Sequence, residues 1–148
     1  VAMHIATSIR YELNTTEGAE EWKRLVPSQG HVVFVNADSR SWPKPYTVTL
    51  FHQMKCLDIL REAYLSPPVE RPSMLVRHCL NYLRQTVLCR PNLWLESVKN
   101  PAGQASREYD MVCHDWTKVY EEAERNQMEF KAWKENNVSN VTNYSSDS

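Results

Sequence analysis

Residues 52–89, HQMKCLDILREAYLSPPVERPSMLVRHCLNYLRQTVLC, decide the fold. Two apolar-periodic segments flank a break at Pro67, Pro68 and Pro72, and each carries a histidine, a cysteine and a basic residue within one turn. In the first, Leu50, Met54, Leu57, Leu60 and Tyr64 recur at helical spacing, which predicts a helix over about 49–64 with Thr49 as N-cap. In the second, Leu75, Val76, Cys79, Leu80, Leu83 and Val87 predict a helix over about 73–89, ended by Pro91. A short proline-rich connection makes two such helices antiparallel neighbours. Cys56 and Cys79 then stand nearly equidistant from Pro68, at one level, where axes about 8–10 Å apart allow a disulfide. Cys79 and Cys89 lie ten residues apart on one helix, roughly 15 Å along it, and do not bond there. Of the three pairings that four cysteines allow, Cys56–Cys79 with Cys89–Cys113 is preferred.

Outward from this pair the pattern weakens. Upstream, Ala19, Trp22, Leu25 and Val26 describe a short helix over 18–26, stopped by Pro27, and residues 1–16 form an arm of mixed polarity. HVVFV at 31–35 reads as a strand, and residues 36–48, with Pro43 and Pro45, as a loop. Downstream, 90–107 is an irregular connection anchored by Trp94 and Leu95. A third long helix is expected over about 108–130, with Val112, Trp116, Val119, Tyr120 and Ala123 on one face. Beyond Trp133 no core-forming pattern remains, so 134–148 is expected to be a disordered, sequon-rich tail. The fold class is therefore mainly α with a minor short β element, in one domain spanning 1–133.

Composition removes several function classes. A chain of 148 residues supports one core, and a net charge of -1 gives no electrostatic reason to bind nucleic acid. With three glycines in all, no glycine-rich phosphate loop can be built, which argues against nucleotide cofactors. No run approaches the roughly 20 apolar residues of a membrane span, while the start at Val1 suggests removal of something N-terminal. Sequons at Asn14, Asn137, Asn140 and Asn143 mark candidate glycosylation sites. Together with an even number of cysteines they point to the lumen of the secretory pathway. The alternative is four buried thiols in a cytosolic protein.

On the antiparallel layout His52, Lys55 and His78 gather around the proposed crosslink. Two histidines and two cysteines also match the zinc ligand inventory, but a lysine inside the would-be H-x-x-x-C pair argues against zinc. In the plainer reading the histidines are hydrogen-bonded core residues, and Lys55 and Arg77 reach solvent along their aliphatic stems.

Trp22 with Leu25 and Pro27, then GHVVFV, YTVTLFHQMKCLDILRE, RHCLNYLRQTVLC and VCHDW, resemble in order and spacing the fungal UstYa-like family of secondary-metabolite and ribosomal-peptide gene clusters. The resemblance covers most of the chain. It implies a domain on the luminal side of an N-terminal membrane anchor that this chain does not contain. It also implies oxidase, hydroxylase, halogenase or cyclisation chemistry on a natural-product substrate, and two H-x-x-H-C motifs proposed to bind copper. This chain keeps half of each motif: His52 and Cys56 stand, with Lys55 in place of the second histidine, and His78 and Cys79 stand, with Leu75 in place of the first. Arg90 and Asn92 replace the histidine and aspartate usual after Cys89, and Met111 replaces a histidine before Cys113.

An ammonium, a guanidinium and an aliphatic side chain do not ligate copper. The favoured expectation is accordingly a tailoring enzyme without metal or other cofactor, a cyclase, with a [4+2] pericyclase as one form of it. It would fold its substrate in an apolar pocket and polarise a carbonyl with His52, Lys55, His78, Arg77 and Arg90. Phe51, Leu75 and Trp94 are candidate walls. The first alternative is a copper-dependent oxidase using His52, His78 and His114, with Met111 as a further donor. The second is a non-catalytic partner of an active homologue, and a homo-oligomer is compatible with each of these readings.

Overall fold

The structure, a computed structural model, describes residues 1–6, 8–36, 42–68, 71–93, 95 and 109–144. In chain order the elements are β1 (Ala2–Ile5), α1 (Thr16–Lys23), β2 (Val32–Val35), β3 (Lys44–Thr47), α2 (Thr49–Leu65), α3 (Met74–Cys89), β4 (Tyr109–Val112) and α4 (Thr117–Tyr144). The chain is mainly α, as its periodicity requires, and its strands form two antiparallel pairs, β1 with β4 and β2 with β3.

Thr15 and Ser73 start helices by the same device, a side-chain oxygen that accepts an orphan amide: Gly18 N–H at 3.0 Å in α1 and Val76 N–H at 3.2 Å in α3. Gly18 is obligatory, because a Cβ there would stand 2.1 Å from the Glu12 carbonyl oxygen. In α2 the cap is Val48, whose side chain makes no such bond; Thr49, the expected cap, is the first helical residue. The helix expected over 18–26 is α1, which begins two residues earlier and gives way at Arg24.

Two expectations are corrected by pairings between distant segments. Residues 44–47, read as loop, form β3, where Pro45 lies opposite Phe34 in an edge strand that leaves its missing N–H harmless. The stretch at 109–112, read as the start of the third helix, is β4, paired with β1 from Ala2↔Val112 to Ile5↔Tyr109, so α4 begins at Thr117. At its other end α4 continues to Tyr144, past the point at 134 where a disordered tail was expected.

Asn126 and Gln127 of α4 do for β2 what a neighbouring strand would do. Asn126 accepts from Phe34 N–H and donates to Phe34 C=O, both at 2.8 Å, and Gln127 Nε2 donates to the carbonyls of Gly30 and Val32 at 2.9 and 2.8 Å. A free sheet edge is thereby satisfied by side chains. Phe34 stacks on Phe130 in the same seam, with centroids 3.5 Å apart. Tyr120 joins α4 to the rest, packing edge-on against Phe51 and donating its hydroxyl to Leu25 C=O at 2.7 Å. Burial raises the Tyr120 pKa above its ordinary value.

The core among the described residues is small: Phe51, Cys56, Cys79 and Ala123, with Asp58 and Gln127 as its buried polar members. It does not follow the predicted stripes. Tyr64 is 77% exposed, and on α3 Leu75, Leu80 and Val87 are more than half exposed. Cys79 alone of α3 is fully buried, and among the described residues that helix packs chiefly on α2 through its cystine face.

Candidate functional site

The centre of the α2–α3 pair is a disulfide between Cys56 and Cys79, with Cα atoms 4.9 Å apart, as the symmetry about Pro68 predicts. One helical turn before Cys56 stands His52, and directly before Cys79 stands His78, so the crosslink carries both imidazoles to one flank of the pair. Their Nε2 atoms lie 3.3 Å apart. Tyr82, one turn beyond His78, stacks on His52 with centroids 3.9 Å apart and planes at 21°. His52 and His78 are themselves near-parallel, at 18°. The stack fixes the plane of each ring, so the two Nε2 atoms face one another on a solvent-accessible flank.

The other expected donors do not converge here. Lys55 Nζ is held by Asp58 at 3.3 Å, and the same carboxylate takes Arg61 Nε at 3.0 Å and Nη2 at 2.8 Å. The Lys55 ammonium thus pairs with Asp58, one turn along α2, rather than with either imidazole. Arg77 is exposed on α3 and is not part of the ring stack. Arg90 and His114 both line a separate cavity of about 910 Å³ at the end of α3. His114 is therefore not a third imidazole beside His52 and His78. Of the candidate walls, Phe51 is core, Leu75 is largely exposed, and Trp94 falls outside the described residues.

Cys89 and Cys113 are unbonded, Cys89 exposed and Cys113 half-buried, which corrects the second expected pairing. Their segments do approach, since Asn92 Nδ2 lies 3.9 Å from Met111 Sδ. Asn14 is exposed in the turn before α1. Asn137 donates to Trp133 C=O at 2.8 Å, and Asn140 and Asn143 fall in the last turns of α4. Among the described residues no helix is long and apolar enough to cross a membrane.

Sequence reasoning missed His31 and Tyr82. His31 precedes β2, and its carbonyl accepts from Thr47 Oγ1 at 3.0 Å, which brings it to the foot of α2. Tyr82 was legible, since it follows His78 by four residues on one helix face. Burial, then His78, then His31 depress the His52 pKa below the ordinary histidine value, which favours the neutral ring in the folded protein. The folded state then binds fewer protons at His52 than the unfolded chain does. Stability from this residue is present above the ordinary histidine pKa and is lost as pH falls through it toward the depressed folded value. Ring-proton NMR is expected to show His52 titrating below the ordinary value. In H78A the titration should move up without reaching that value, because burial is the larger cause; an unchanged pKa in H78A would contradict the geometry.

The ligand atoms of His52, Cys56 and His78 all lie within 4.8 Å of one another. The Cys56 sulfur is spent in the disulfide, which leaves two imidazoles as donors. Metal–imidazole bonds of about 2.0–2.1 Å at a tetrahedral angle place two nitrogens about 3.3 Å apart. That spacing and the neutral state of His52 fit the copper implied by the tandem motifs, with two protein ligands.

Two curated proteins are similar to this chain in sequence. The UstYa family oxidase phomYb of Diaporthe leptostromiformis is 25% identical over 118 residues, covering 68% of this chain and 47% of that protein. Oxidase ustYa of Aspergillus flavus is 25% identical over 88 residues, covering 55% of this chain and 41% of that protein. The chain spans less than half the length of either relative. No solved structure matches it significantly. The family described as mycotoxin biosynthesis protein UstYa matches residues 17–137, a span that holds α1, both helices of the crosslinked pair and most of α4. With the match running through the cystine and its two histidines, the chain belongs to the UstYa family.

Proposed function

We propose that this chain is the catalytic domain of an oxidative tailoring enzyme of fungal natural-product biosynthesis, with its reaction centre at His52 and His78. The observation that carries the reading is the 3.3 Å approach of two Nε2 atoms from facing helices. The oxidase names of phomYb and ustYa support it. A copper ion at the pair would supply one-electron chemistry with oxygen. The chain's own contribution is positional: the Cys56–Cys79 bond sets the height of the two helices, Tyr82 fixes the plane of His52, and partial burial keeps that ring unprotonated. The disulfide also supports an oxidising compartment, consistent with the secretory-pathway lumen. A natural product would meet this centre from the open flank of α3, where His78 is exposed.

A second reading, cyclisation without metal, is favoured by one observation: Lys55 and Leu75 stand at two motif positions, so the centre has only two imidazoles. In that case the histidine pair shares a proton and polarises a substrate carbonyl, with Lys55 withdrawn by Asp58. Copper titration of the purified chain, followed by electron paramagnetic resonance, separates the two. The oxidative reading predicts one bound copper per chain with nitrogen hyperfine structure. Affinity should fall by about 100-fold or more in H52A and H78A, beyond the loss typical of an outer-shell change. Absence of copper binding by the intact chain would remove the oxidative reading and leave the cyclase.

A further inference from the structure

On a flank of the α2–α3 pair away from the histidines, Leu50, Met54 and Leu57 of α2 face Leu83 and Val87 of α3 across the 910 Å³ cavity. These positions recur at three and four residues, so each helix presents a continuous apolar strip to the same groove. Its volume is that of a pocket for a molecule of drug or natural-product size. The floor does not end there. Leu50, Met54 and Leu57 also wall a neighbouring cavity of about 440 Å³, closed by Trp22, Trp116 and Tyr120. The two spaces share one apolar wall along α2.

The end of the groove at the start of α2 has a different chemistry. Arg90, the residue that caps α3, lines it together with His114. Among the described residues neither side chain has a hydrogen-bond or ion-pair partner, and no carboxylate lines the cavity. This distinguishes Arg90 from Arg10, Arg61 and Arg125, each of which is paired with an aspartate or glutamate. A guanidinium with no partner among the described residues, at one end of an apolar groove, complements a ligand with an anionic group on an apolar body.

We infer that this groove is a binding site for an acidic amphiphile, a molecule with one carboxylate and an extended apolar body. The carboxylate pairs with Arg90, flanked by His114 and Thr49. The body lies along Leu50, Met54 and Leu57 toward the aromatic cavity. Neither His52 nor His78 lines the groove. His78 and Tyr82 occupy a different flank of α3 from Leu83 and Val87, with the buried cystine between the two sides. The site is therefore separate from the proposed reaction centre and goes beyond it.

Dodecanoate, 1-dodecanol and dodecylamine provide probes of one length and three head groups. In isothermal titration calorimetry of the purified chain at neutral pH, dodecanoate is expected to bind about tenfold or more tighter than dodecanol, and dodecylamine weakest. Arg90→Gln should bring dodecanoate down to the level of dodecanol and leave dodecanol unchanged. Arg84→Gln, an exposed arginine on α3 outside the groove, should leave both unchanged. Val87→Glu places a carboxylate at an exposed edge of the groove and should abolish dodecanoate binding. Equal affinity for the acid and the alcohol, no binding of the acid, or an equal loss in R90Q and R84Q would overturn the assignment. H52A and H78A should bind dodecanoate as the intact chain does, so a failure of the histidine centre and a failure of this site give different results.

Discussion

Replacing both Cys56 and Cys79 by serine is expected to destabilise the protein by about 3 kcal/mol, the loop-entropy value for a crosslink of this span. The bond closes a loop with a sequence separation of 23. For a chain of this size the loss corresponds to a fall of roughly 6–12 °C in Tm by thermal circular dichroism. The effect is large because few other contacts hold α3. Cys79 is its only fully buried residue, and its apolar side chains at positions 75, 80 and 87 are mostly exposed. The double variant should also lose the ring stacking of His52 on Tyr82 and, with it, the depressed titration of His52. Reduction of the intact chain by thiol should reproduce both changes. A Tm shift below about 2 °C would mean that packing, not the crosslink, sets the spacing of the helices.

Asp58→Ala is expected to cost about 3–5 kcal/mol, the range for removing one partner of a buried ion pair. Asp58 is 4% exposed and holds Arg61, whose side chain is 8% exposed, through two nitrogens. Arg61 Nη1 also donates to Leu13 C=O at 3.1 Å, so this network ties the N-terminal arm to α2. Without the carboxylate the nearly buried guanidinium keeps only the Leu13 carbonyl and the exposed Glu62 carboxylate at 3.6 Å. Removing both charges in an Asp58→Ala/Arg61→Met double variant should restore part of the loss, since the isolated charge is its main source. Urea unfolding measures each variant; a loss under about 1 kcal/mol for Asp58→Ala would show that Arg61 finds water instead. Freed from Asp58, the Lys55 ammonium would be able to swing toward the histidine flank. The same variant therefore tests whether that ion pair keeps a positive charge away from the histidine pair.

The helix pair was legible in the sequence because its signals are local. Apolar spacing located both helices, the prolines located their ends, and the near-equal distances of Cys56 and Cys79 from Pro68 located the crosslink. What escaped depends on residues far apart in the chain. Nothing within 109–112 announces a strand until Ala2–Ile5 lies beside it, and Pro45 conceals β3 until its edge position makes the missing donor harmless. The apolar stripes were real, but the element that would cover a stripe is not written in it. Leu83 and Val87 consequently line an open groove instead of a core.

The candidate site divides in the same way. His52 and His78 were brought together by helix register alone. Lys55 was given a role because it lies beside Cys56, although Asp58, three residues on, was the nearer electrostatic partner and equally visible. Arg90 and His114 were named separately, one as a donor and the other as a ligand. Their meeting at the end of one groove follows from β4 folding back toward the end of α3, a contact between segments 24 positions apart that no periodicity encodes.

A disulfide this deeply covered has a lifetime as well as an energy. With Cys56 1% and Cys79 0% exposed, no external thiolate can reach either sulfur along the line of attack that exchange requires while the helices stay together. Cleavage must wait for α2 and α3 to part, so the rate of reduction reports how often they open, not how reducing the surroundings are. In a thiol-containing medium the protein would persist for as long as that opening is rare, and the two imidazoles would keep their spacing over the same period.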